Sequence, residues 1–323
     1  MARQIEVRAL GGPEVLEMVD HEVGAPGPGQ VRIAVQAIGV NFIDVYFRTG
    51  LYPRPLPFSS GLEGAGEVLA VGPDVDAFRV GQRVAWASVP GSYATEILAP
   101  AENLFAVPDS VPSNIAAAAM LQGMTAHYLI HGCRRTEPGD TALVHAAAGG
   151  VGLLLCQMLR NLGARVIGTC STDEKAALVR AAGAEEVIRY DQEDFPSRTR
   201  EWADGRGVDV VYDSVGQSTF EGSLASLRPR GLLCLYGQSS GSVPPFDLGR
   251  LNGLGSLMVT RPSLAHFTAS RAEFEERAGA VLQAIQSGAL DIRIGAQFPL
   301  QEAAEAHRAL EGRRTTGKVL LIP

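Results

Sequence analysis

The stretch Thr141-Ala-Leu-Val-His-Ala-Ala-Ala-Gly-Gly-Val-Gly152 predicts a strand, a turn of small residues and the start of a helix. Thr141 to His145 carry the apolar run of a buried parallel strand, and Ala146 to Gly152 have almost no side-chain volume. Apolar residues return at helical spacing from Leu153 to Leu162. Because such a turn brings backbone N–H groups and the positive end of a helix to a ligand, it favours binding of a pyrophosphate.

Small residues in this turn follow the spacing Ala146-x-x-Gly149-x-x-Gly152. Gly149 and Gly150 let the backbone turn and approach a ligand, and Gly152 lets the helix pack against the strand. A tight turn in any α/β protein is the alternative. Further strand–helix units, which continue to about Gly237, favour dinucleotide binding. We expect the pyrophosphate contacts at Ala148, Gly149, Gly150 and Val151.

The rest of the chain divides around this stretch. Residues 1–120 contain mostly short predicted strands with Gly/Pro turns, which indicates a mainly β domain with a Greek-key or barrel-like arrangement. Helices over Ala272–Gln286 and Leu300–Leu310 and a strand over Lys318–Ile322 end the chain, and we expect this tail to pack on the N-terminal domain. The prediction is an α/β protein, with a discontinuous domain of residues 1–122 and 262–323 and a doubly wound parallel-sheet domain of residues 123–261.

Length and composition restrict the class of protein. A chain of 323 residues, with 46% hydrophobic and 20% charged residues, is typical of a soluble globular protein with about two domains. Its net charge of −7 argues against nucleic acid as a partner. The four cysteines form no C-x-x-C pair, and we find no signal sequence and no apolar run of membrane-spanning length. We therefore expect a cytoplasmic protein with no membrane partner.

The region after the second predicted strand bears on the choice of cofactor. An NAD site places an acid about 20 residues after the first glycine, but Gly168-Thr-Cys-Ser171 contains no carboxylate. Ser171 and Lys175 can bind a 2′-phosphate, which favours NADPH. Alternatively, Ser171 and Glu174 form a helix-capping box, and the nearby acids Asp173 and Glu174 weaken the electrostatic case for a phosphate.

Two sets of motifs resemble known families. Gly39-Val-Asn-Phe-Ile-Asp44 with Tyr46, Gly50-Leu-Tyr52-Pro and Gly61-Leu-Glu-Gly-Ala-Gly66 resemble the medium-chain dehydrogenase/reductase superfamily. Within it, the chain resembles the NADPH:quinone oxidoreductase (zeta-crystallin-like) family through the motifs His145–Gly152, Tyr212–Gly216 and Val259–Ser263. The resemblance runs from about Ile5 to Pro323. It implies a GroES-like catalytic domain, a Rossmann domain, and a homodimer formed through the Rossmann sheets.

The resemblance also bears on metal binding. The zinc alcohol dehydrogenases of the superfamily have Cys and His where this chain has Asn41 and Leu62, whereas the acid Glu63 remains. Leu62 cannot bind a metal, and Asn41 is a poor zinc ligand. The six histidines show no ligand spacing. We therefore expect no metal site.

Three residues are candidates for catalysis. Asn41, Tyr46 and Tyr52 lie in segments that match the active-site cleft of the family, and Asn41 and Tyr46 are also candidate cofactor contacts. Asn41 can donate an amide hydrogen bond, and the tyrosines can donate O–H bonds and stack on a flat ring. The alternative is that all three serve packing and turn structure. We expect Asp44 to orient Asn41 or its loop, and Glu63 to be a structural ion-pair partner.

Further cofactor contacts are expected along the chain. By resemblance, Thr125 contacts the nicotinamide half. The family has a basic residue in the stretch just before this motif, and here that stretch is Met120-Leu-Gln122. Four further candidates lie at or near strand ends, where ligands approach: Tyr190, Ser214, Gly237 and Ser240. Arg261, and Arg313 or Lys318, are basic residues that can pair with phosphates. The alternative is that these residues occupy ordinary strand-end or surface positions without a ligand.

Together these features predict a zinc-independent NADPH:quinone oxidoreductase, with a quinone or another small electrophile as substrate bound between the two domains. One alternative is an NADPH-dependent reductase of 2-alkenals, enones or enoyl thioesters, for which a positioned tyrosine matters more because a proton must reach carbon. Another alternative is a non-catalytic NADPH-binding protein.

Overall fold

The computed structural model describes residues 1–323 and divides them into two compact units. Unit 1 consists of Met1–Met124 and Thr268–Pro323, and unit 2 consists of Thr125–Phe267. Unit 1 is thus built from both ends of the chain, and unit 2 is one continuous segment. The division lies a few residues later at each boundary than the sequence suggests.

Sixteen strands form three sheets. In chain order they are β1 (Ala2–Val7), β2 (Leu16–His21), β3 (Gln30–Val40), β4 (Phe58–Ser59), β5 (Glu63–Val71), β6 (Arg83–Trp86), β7 (Glu96–Pro100), β8 (Leu104–Ala106), β9 (Thr141–Val144), β10 (Arg165–Cys170), β11 (Glu186–Arg189), β12 (Val208–Asp213), β13 (Leu227–Leu235), β14 (Met258–Thr260), β15 (Ile294–Pro299) and β16 (Lys318–Ile322).

Ten α-helices connect or cover these strands. They are α1 (Phe42–Arg48), α2 (Ser113–Tyr128), α3 (Gly150–Asn161), α4 (Asp173–Ala181), α5 (Phe195–Trp202), α6 (Phe220–Ser226), α7 (Gly249–Gly253), α8 (Leu264–Phe267), α9 (Arg271–Gln286) and α10 (Ala303–Glu311). A π-helical turn over Leu129–Cys133 follows α2. None of these helices combines the length and the apolar character that crossing a bilayer requires.

Unit 1 is mainly β, as predicted. A seven-stranded sheet has the order β15-β16-β3-β5-β6-β8, with β7 also paired to β3, and a three-stranded sheet has the order β2-β1-β4. The last strand of the chain, β16, runs antiparallel to β3 and parallel to β15. The expected tail therefore does join the N-terminal sheet. Strand β15 has no counterpart among the predicted strands, because its Gly295 and Pro299 are typical of turns.

Unit 2 contains the predicted parallel sheet. Its strand order is β11-β10-β9-β12-β13-β14, and every pair is parallel. Counted from β9, this is the order 3-2-1-4-5-6 of dinucleotide-binding domains, in which ligands bind at the carboxyl ends of the strands. All four residues of β9 are buried, as an apolar strand in the centre of a parallel sheet requires.

Candidate active site

The turn after β9 is closed by its own backbone. The N–H of Gly149 donates to the carbonyl oxygen of Ala146 at 2.9 Å, and the N–H of Ala147 donates to that of Thr169 in β10 at 3.0 Å. Ala146 has a φ angle of +48°, in the left-handed region that glycine adopts without strain. A Cβ atom at Gly152 would lie 2.5 Å from the carbonyl oxygen of Ala146. Only glycine at position 152 therefore lets α3 pack against the turn.

No side chain caps the N-terminus of α3. Its N-cap is Gly149, which has no side chain to accept from the first-turn N–H groups. Those groups have no acceptor within the helix, and they lie at the positive end of a twelve-residue helix. The predicted pyrophosphate residues lie in this turn and at the start of α3: Ala148, Gly149, Gly150 and Val151. This geometry fits an anionic group.

Strands β10 and β11 end side by side, because Cys170 pairs with Arg189 in the sheet. The following residues are Ser171 on one side and Tyr190, which is 41% exposed, on the other. Lys175 lies in the first turn of α4. The structure therefore places three of the predicted cofactor residues, Ser171, Lys175 and Tyr190, around the ends of two neighbouring strands.

The capping box considered for residues 171–174 does not form. The N-cap of α4 is Thr172, whose Oγ1 accepts a hydrogen bond from the N–H of Lys175 at 3.2 Å. Ser171 precedes the cap, so its hydroxyl is not used to start the helix.

Arg189 is a cation that the sequence analysis did not identify. Its guanidinium donates to both carboxylate oxygens of Asp191, at 2.9 and 2.8 Å, and to Asp173 at 2.5 Å. These hydrogen bonds, that of Asp191 most, raise the pKa of Arg189 above its ordinary value. Strand pairing brings Arg189 to the end of β10, and the position of a strand's neighbour cannot be read from periodicity.

The loops after β12 and β13 touch through their backbones. The N–H of Ser239 donates to the carbonyl oxygen of Ser214 at 3.1 Å. A Cβ atom at Gly237 would lie 2.5 Å from the same oxygen, so the close approach requires glycine. Both predicted residues, Ser214 and Gly237, thus lie at the carboxyl edge of the sheet, where a ligand is expected.

Ser240 closes the two loops through its hydroxyl. Its hydroxyl donates to the carbonyl oxygen of Val215 at 2.8 Å and accepts from the N–H of Ser218 at 3.0 Å. The hydroxyl therefore joins the two loops to each other. Its contact with the cofactor stays a prediction, because the hydroxyl oxygen has a second lone pair for a further donor.

A buried carboxylate that the sequence analysis missed holds the loop after β12. Asp213 Oδ1 accepts from the N–H groups of Val215 and Gly216 at 2.7 and 3.1 Å, and Oδ2 accepts from Ser223 Oγ at 2.8 Å. His145 Nε2 lies 3.1 Å from the same Ser223 oxygen. Burial lowers the pKa of His145, so the imidazole is neutral and donates from Nε2 to Ser223. This network stiffens the ends of β9 and β12.

The remaining cofactor candidates differ in exposure. Thr125 is buried in α2, Arg261 is exposed just after β14, and Arg313 is exposed between α10 and β16. Lys318, the alternative to Arg313 as a phosphate partner, is 1% exposed and forms an ion pair with Glu63. The alternative assignment of Lys318 is therefore wrong, because a buried and paired ammonium is not available to a phosphate.

Unit 1 contains a buried polar group that we call the Asn41 cluster: Asn41, Glu63, Gln122 and Lys318. Asn41 Oδ1 accepts from Lys318 Nζ at 2.8 Å and from Gln122 Nε2 at 3.2 Å, and Asn41 Nδ2 donates to Glu63 Oε2 at 2.8 Å. Glu63 Oε2 also accepts from Lys318 Nζ, and Glu63 Oε1 accepts from the N–H of Leu121 at 2.6 Å. The ion-pair role expected for Glu63 is confirmed.

Asp44 orients Asn41 through the backbone. Asp44 Oδ2 accepts from the N–H of Asn41 at 2.9 Å at the start of α1, which confirms the orienting role expected of it. Burial raises the pKa of Asp44 to about 7, and this effect exceeds the opposing hydrogen bonds from Asn41 and Tyr93. Asp44 Oδ1 is buried without a hydrogen-bond partner.

From Asp44 a chain of contacts runs to the edge of unit 1. Tyr93 O–H donates to Asp44 Oδ2 at 2.9 Å and lies 3.1 Å from His307 Nε2. His307 Nδ1 lies 3.0 Å from Arg48 Nη1, and Arg48 donates to both carboxylate oxygens of Glu311 at 2.7 and 2.9 Å. Burial, and then the Arg48 charge, lower the pKa of His307 to about 3. His307 is therefore neutral, donates from Nε2 to Tyr93 and accepts from Arg48 at Nδ1.

The two candidate tyrosines belong to an aromatic cluster. The rings of Tyr46 and Tyr52 meet edge to face with centroids 5.2 Å apart, and Phe47 lies 6.0 Å from Tyr52. The guanidinium of Arg54 lies 5.0 Å from the centroid of the Phe47 ring and 5.2 Å from that of Phe58. Such ring faces and edges suit a flat conjugated ligand.

Comparisons with known proteins agree with this geometry. Residues 27–109 match the family described as "Alcohol dehydrogenase GroES-like domain", and residues 182–321 match the family described as "Zinc-binding dehydrogenase". The chain is 47% identical to a quinone oxidoreductase of Pseudomonas aeruginosa and 45% identical to a 2-haloacrylate reductase of a Burkholderia species, over 100% and 98% of both chains respectively.

The fold also matches a solved structure. A crystal structure of Escherichia coli quinone oxidoreductase complexed with NADPH matches with a TM-score of 0.97 at 42% identity. The match covers 99% of this chain and 100% of the other. The predicted pair of a GroES-like mainly β domain and a Rossmann-type parallel-sheet domain is confirmed.

Proposed function

Because the chain belongs to the quinone oxidoreductase family of the medium-chain dehydrogenase/reductase superfamily, we propose that it is a zinc-independent NADPH:quinone oxidoreductase. The single observation that carries the choice of reaction is the Lys318 ammonium beside Asn41. It favours an electron-poor substrate that accepts hydride without a metal over an alcohol, because an alcohol needs a metal or a general base to remove its proton and this ammonium is neither.

Zinc does not fit the Asn41 cluster. Of the two positions that match metal-binding Cys and His, one is Leu62, which has no donor atom in its side chain. The other is Asn41, whose carbonyl oxygen already accepts from Lys318 and Gln122. A divalent cation there would meet the fixed ammonium of Lys318. We therefore derive no step through zinc.

NADPH fits unit 2. Its pyrophosphate would be held by the uncapped N-terminus of α3, and its 2′-phosphate by Ser171 and Lys175 with Tyr190 beside it. The other residues that we propose for the cofactor are Asn41, Tyr46, Thr125, Ser214, Gly237, Ser240, Arg261 and Arg313. When bound, NADPH supplies the hydride that the substrate accepts.

Three residues of unit 1 would act on the substrate. Asn41 supplies an amide N–H to an oxygen that gains negative charge during reduction. Tyr46 and Tyr52 provide ring surfaces for a quinone and O–H groups near it. The proton that completes the reduction comes from solvent or from one of these tyrosines.

We also propose that two copies of the chain form a homodimer through unit 2. Strand β14 is at the edge of the six-stranded sheet, so one side of its backbone has no neighbouring strand. Its Met258 and Val259 are 49% and 37% exposed. An exposed apolar edge strand is a surface on which a second copy can extend the sheet. The cytoplasm is the proposed location, consistent with four cysteines that form no disulfide.

The test is NADPH oxidation, followed by near-UV absorbance, with a panel of 1,4-quinones beside 2-alkenals. We expect turnover with quinones that survives chelator treatment and is weak with NADH. Chelator-sensitive oxidation of an alcohol would contradict the proposal. Tight NADPH binding without any turnover would instead favour a binding protein.

Reduction of an activated C=C bond is a second candidate. The observation that favours it is the 45% identity to a 2-haloacrylate reductase, which is nearly as high as that to the first quinone oxidoreductase. Turnover of alkenals or haloacrylates but not of quinones would establish this candidate in place of the first.

A further inference from the structure

Lys318 is an unusual residue in this chain. The chain contains two lysines, Lys175 and Lys318, and charged residues are otherwise supplied by arginine and by acids. Lys318 is 1% exposed, and burying an ammonium costs free energy unless partners compensate it. Burial lowers its pKa, and the neighbouring Glu63 carboxylate opposes that effect. Because burying the Lys318 ammonium is unfavourable, we expect its charge to have a role other than packing.

The contacts of Lys318 converge on one amide group. Lys318 Nζ and Gln122 Nε2 both donate to Asn41 Oδ1, at 2.8 and 3.2 Å, and so occupy both lone pairs of that oxygen. On the other side of the amide, Asn41 Nδ2 donates to Glu63 Oε2 at 2.8 Å. A flipped amide would point its NH₂ group at two donors and its oxygen at a carboxylate. The cluster therefore permits one orientation of Asn41.

The hydrogen bonds of the Asn41 amide also identify which of its atoms is available to bind a ligand. Its oxygen is saturated, and one N–H is committed to Glu63. The second N–H faces the carbonyl oxygen of Gly39 at 3.4 Å, a long and weak contact. A substrate or cofactor oxygen can replace that contact at little cost, whereas the other contacts are held in place.

We propose that Lys318 is a positioning residue of the reaction, which acts through Asn41: with Gln122 it fixes the amide so that one N–H remains exchangeable, and its charge strengthens that donor. This inference rests on the proposed function, because it takes Asn41 as the group that contacts the reacting molecules. Lys318 itself is 1% exposed, so its proposed role is exerted through Asn41.

The two donors to Asn41 come from different elements, and this allows a rescue experiment. Lys318 begins β16, whereas Gln122 lies in α2 next to Leu121, whose N–H donates to Glu63. A lysine at position 122 would therefore be close to the same amide oxygen and the same carboxylate. One cation is enough to pair with Glu63, and a lysine at either position 318 or position 122 would be close enough to supply it.

The experiment compares Lys318→Met with the double variant Lys318→Met/Gln122→Lys. We expect Lys318→Met to lower kcat for a quinone by about a hundredfold, as a misplaced catalytic group does, and to leave the dissociation constant of NADPH within about twofold because the cofactor's phosphates bind elsewhere. The double variant should regain at least about tenfold of that loss. The matched control Gln283→Lys adds the same charge at an exposed position of α9. It should leave wild-type activity unchanged and should not rescue Lys318→Met.

Loss of Lys318 alone leaves Glu63 as a buried, unpaired charge, which destabilises the fold. If Lys318→Met fails to fold, Lys318→Met/Glu63→Gln is measured instead, since it removes both charges together. A folded variant of this kind with wild-type kcat would overturn the proposal. The proposal would also be overturned if Lys318→Met/Gln122→Lys were no more active than the control double variant Lys318→Met/Gln283→Lys.

A second readout separates this inference from the function on which it rests. NMR can follow hydrogen exchange of the Asn41 side-chain amide, assigned by its loss in Asn41→Asp. We expect exchange to be at least about tenfold faster in Lys318→Met/Glu63→Gln than in the wild type. Faster exchange together with a wild type that is inactive on quinones would support the positioning of Asn41 and refute the proposed reaction. Unchanged exchange would refute the positioning itself.

Discussion

At the scale of single residues, Ala146 shows the conformational cost of the nucleotide-binding turn. It is exposed, and its φ angle of +48° costs an alanine about 1–2 kcal/mol that glycine does not incur. Glycine loses more entropy on folding, which offsets about half of this gain. Ala146→Gly should therefore stabilise the protein by about 0.5–1 kcal/mol in urea unfolding. Ala289→Gly, at an exposed alanine with no positive φ, is the control and should be destabilising. Equal effects of the two changes would contradict the prediction.

Asp44 predicts a dependence of stability on pH. Its pKa is about 7 in the folded protein and about 4 when unfolded, so its contribution to stability is complete below pH 4 and is lost as the pH rises to 7. Asp44→Asn lacks this titration. The free energy of unfolding of the wild type, relative to that of Asp44→Asn, should fall by up to about 4 kcal/mol between pH 4 and pH 7 and stay constant above pH 8. A difference independent of pH in urea titrations would refute the assignment.

How much of the site could be predicted differs between residues. Asn41, Asp44 and Glu63 lie in short motifs, and two of their roles, the orienting of Asn41 and the ion pair, are confirmed. The partner Lys318 could not be assigned, because 255 residues separate it from Glu63 and only the pairing of β16 with β3 brings it there. The loop hydrogen bonds of Ser240 could not be predicted either, because its partners Val215 and Ser218 lie on a different loop.

At the scale of elements, the ends of β10 and β11 make a prediction about cofactor affinity. Asp173 holds Arg189 from the first turn of α4, in the region proposed for the 2′-phosphate. Replacing this carboxylate by an amide should remove repulsion of the phosphate and free part of the guanidinium. Asp173→Asn should bind NADPH about two- to fivefold more tightly at low salt.

The measurement is a fluorescence titration of Asp173→Asn with NADPH and with NADH. NADH lacks the 2′-phosphate and serves as the control, so its affinity should not change. Glu185→Gln, which alters an exposed acid paired with Arg165, is a matched variant away from the two strand ends. An equal gain for both cofactors would show that Arg189 and Asp173 do not sense the phosphate.

Elements with strong periodicity were predicted well. The alternation of strands and helices in the sequence of unit 2 correctly predicts a parallel sheet, because the strands of such a sheet are buried on both faces and are therefore continuously apolar. Periodicity does not give strand order, and so the neighbours Cys170 and Arg189 became visible only in the structure. Strand β15 pairs only with β16, and its residues alternate between partly buried and exposed, but Gly295 and Pro299 are typical of turns and hide this pattern in the sequence.

At the scale of the whole molecule, the exposed edge of β14 predicts the state of assembly. The wild type should elute with twice the 34.1 kDa mass of the chain in light-scattering measurements. Met258→Lys/Val259→Lys places two charges on the edge strand and should yield a monomer. Leu69→Lys changes a similarly exposed apolar residue in β5 of unit 1 and should remain dimeric. A wild-type monomer, or a dimer that survives both lysines, would contradict this interface.

The place of β16 in its sheet has a consequence for synthesis on the ribosome. β3 leaves the ribosome early, whereas its neighbour β16 is made only after the whole of unit 2. Unit 2 is continuous and is free to fold first. Until β16 has been made, the nascent unit 1 has an open edge along β3 and an acid, Glu63, without its counter-ion. A chain truncated before β16 would therefore be a substrate for chaperones and proteases rather than a slower enzyme.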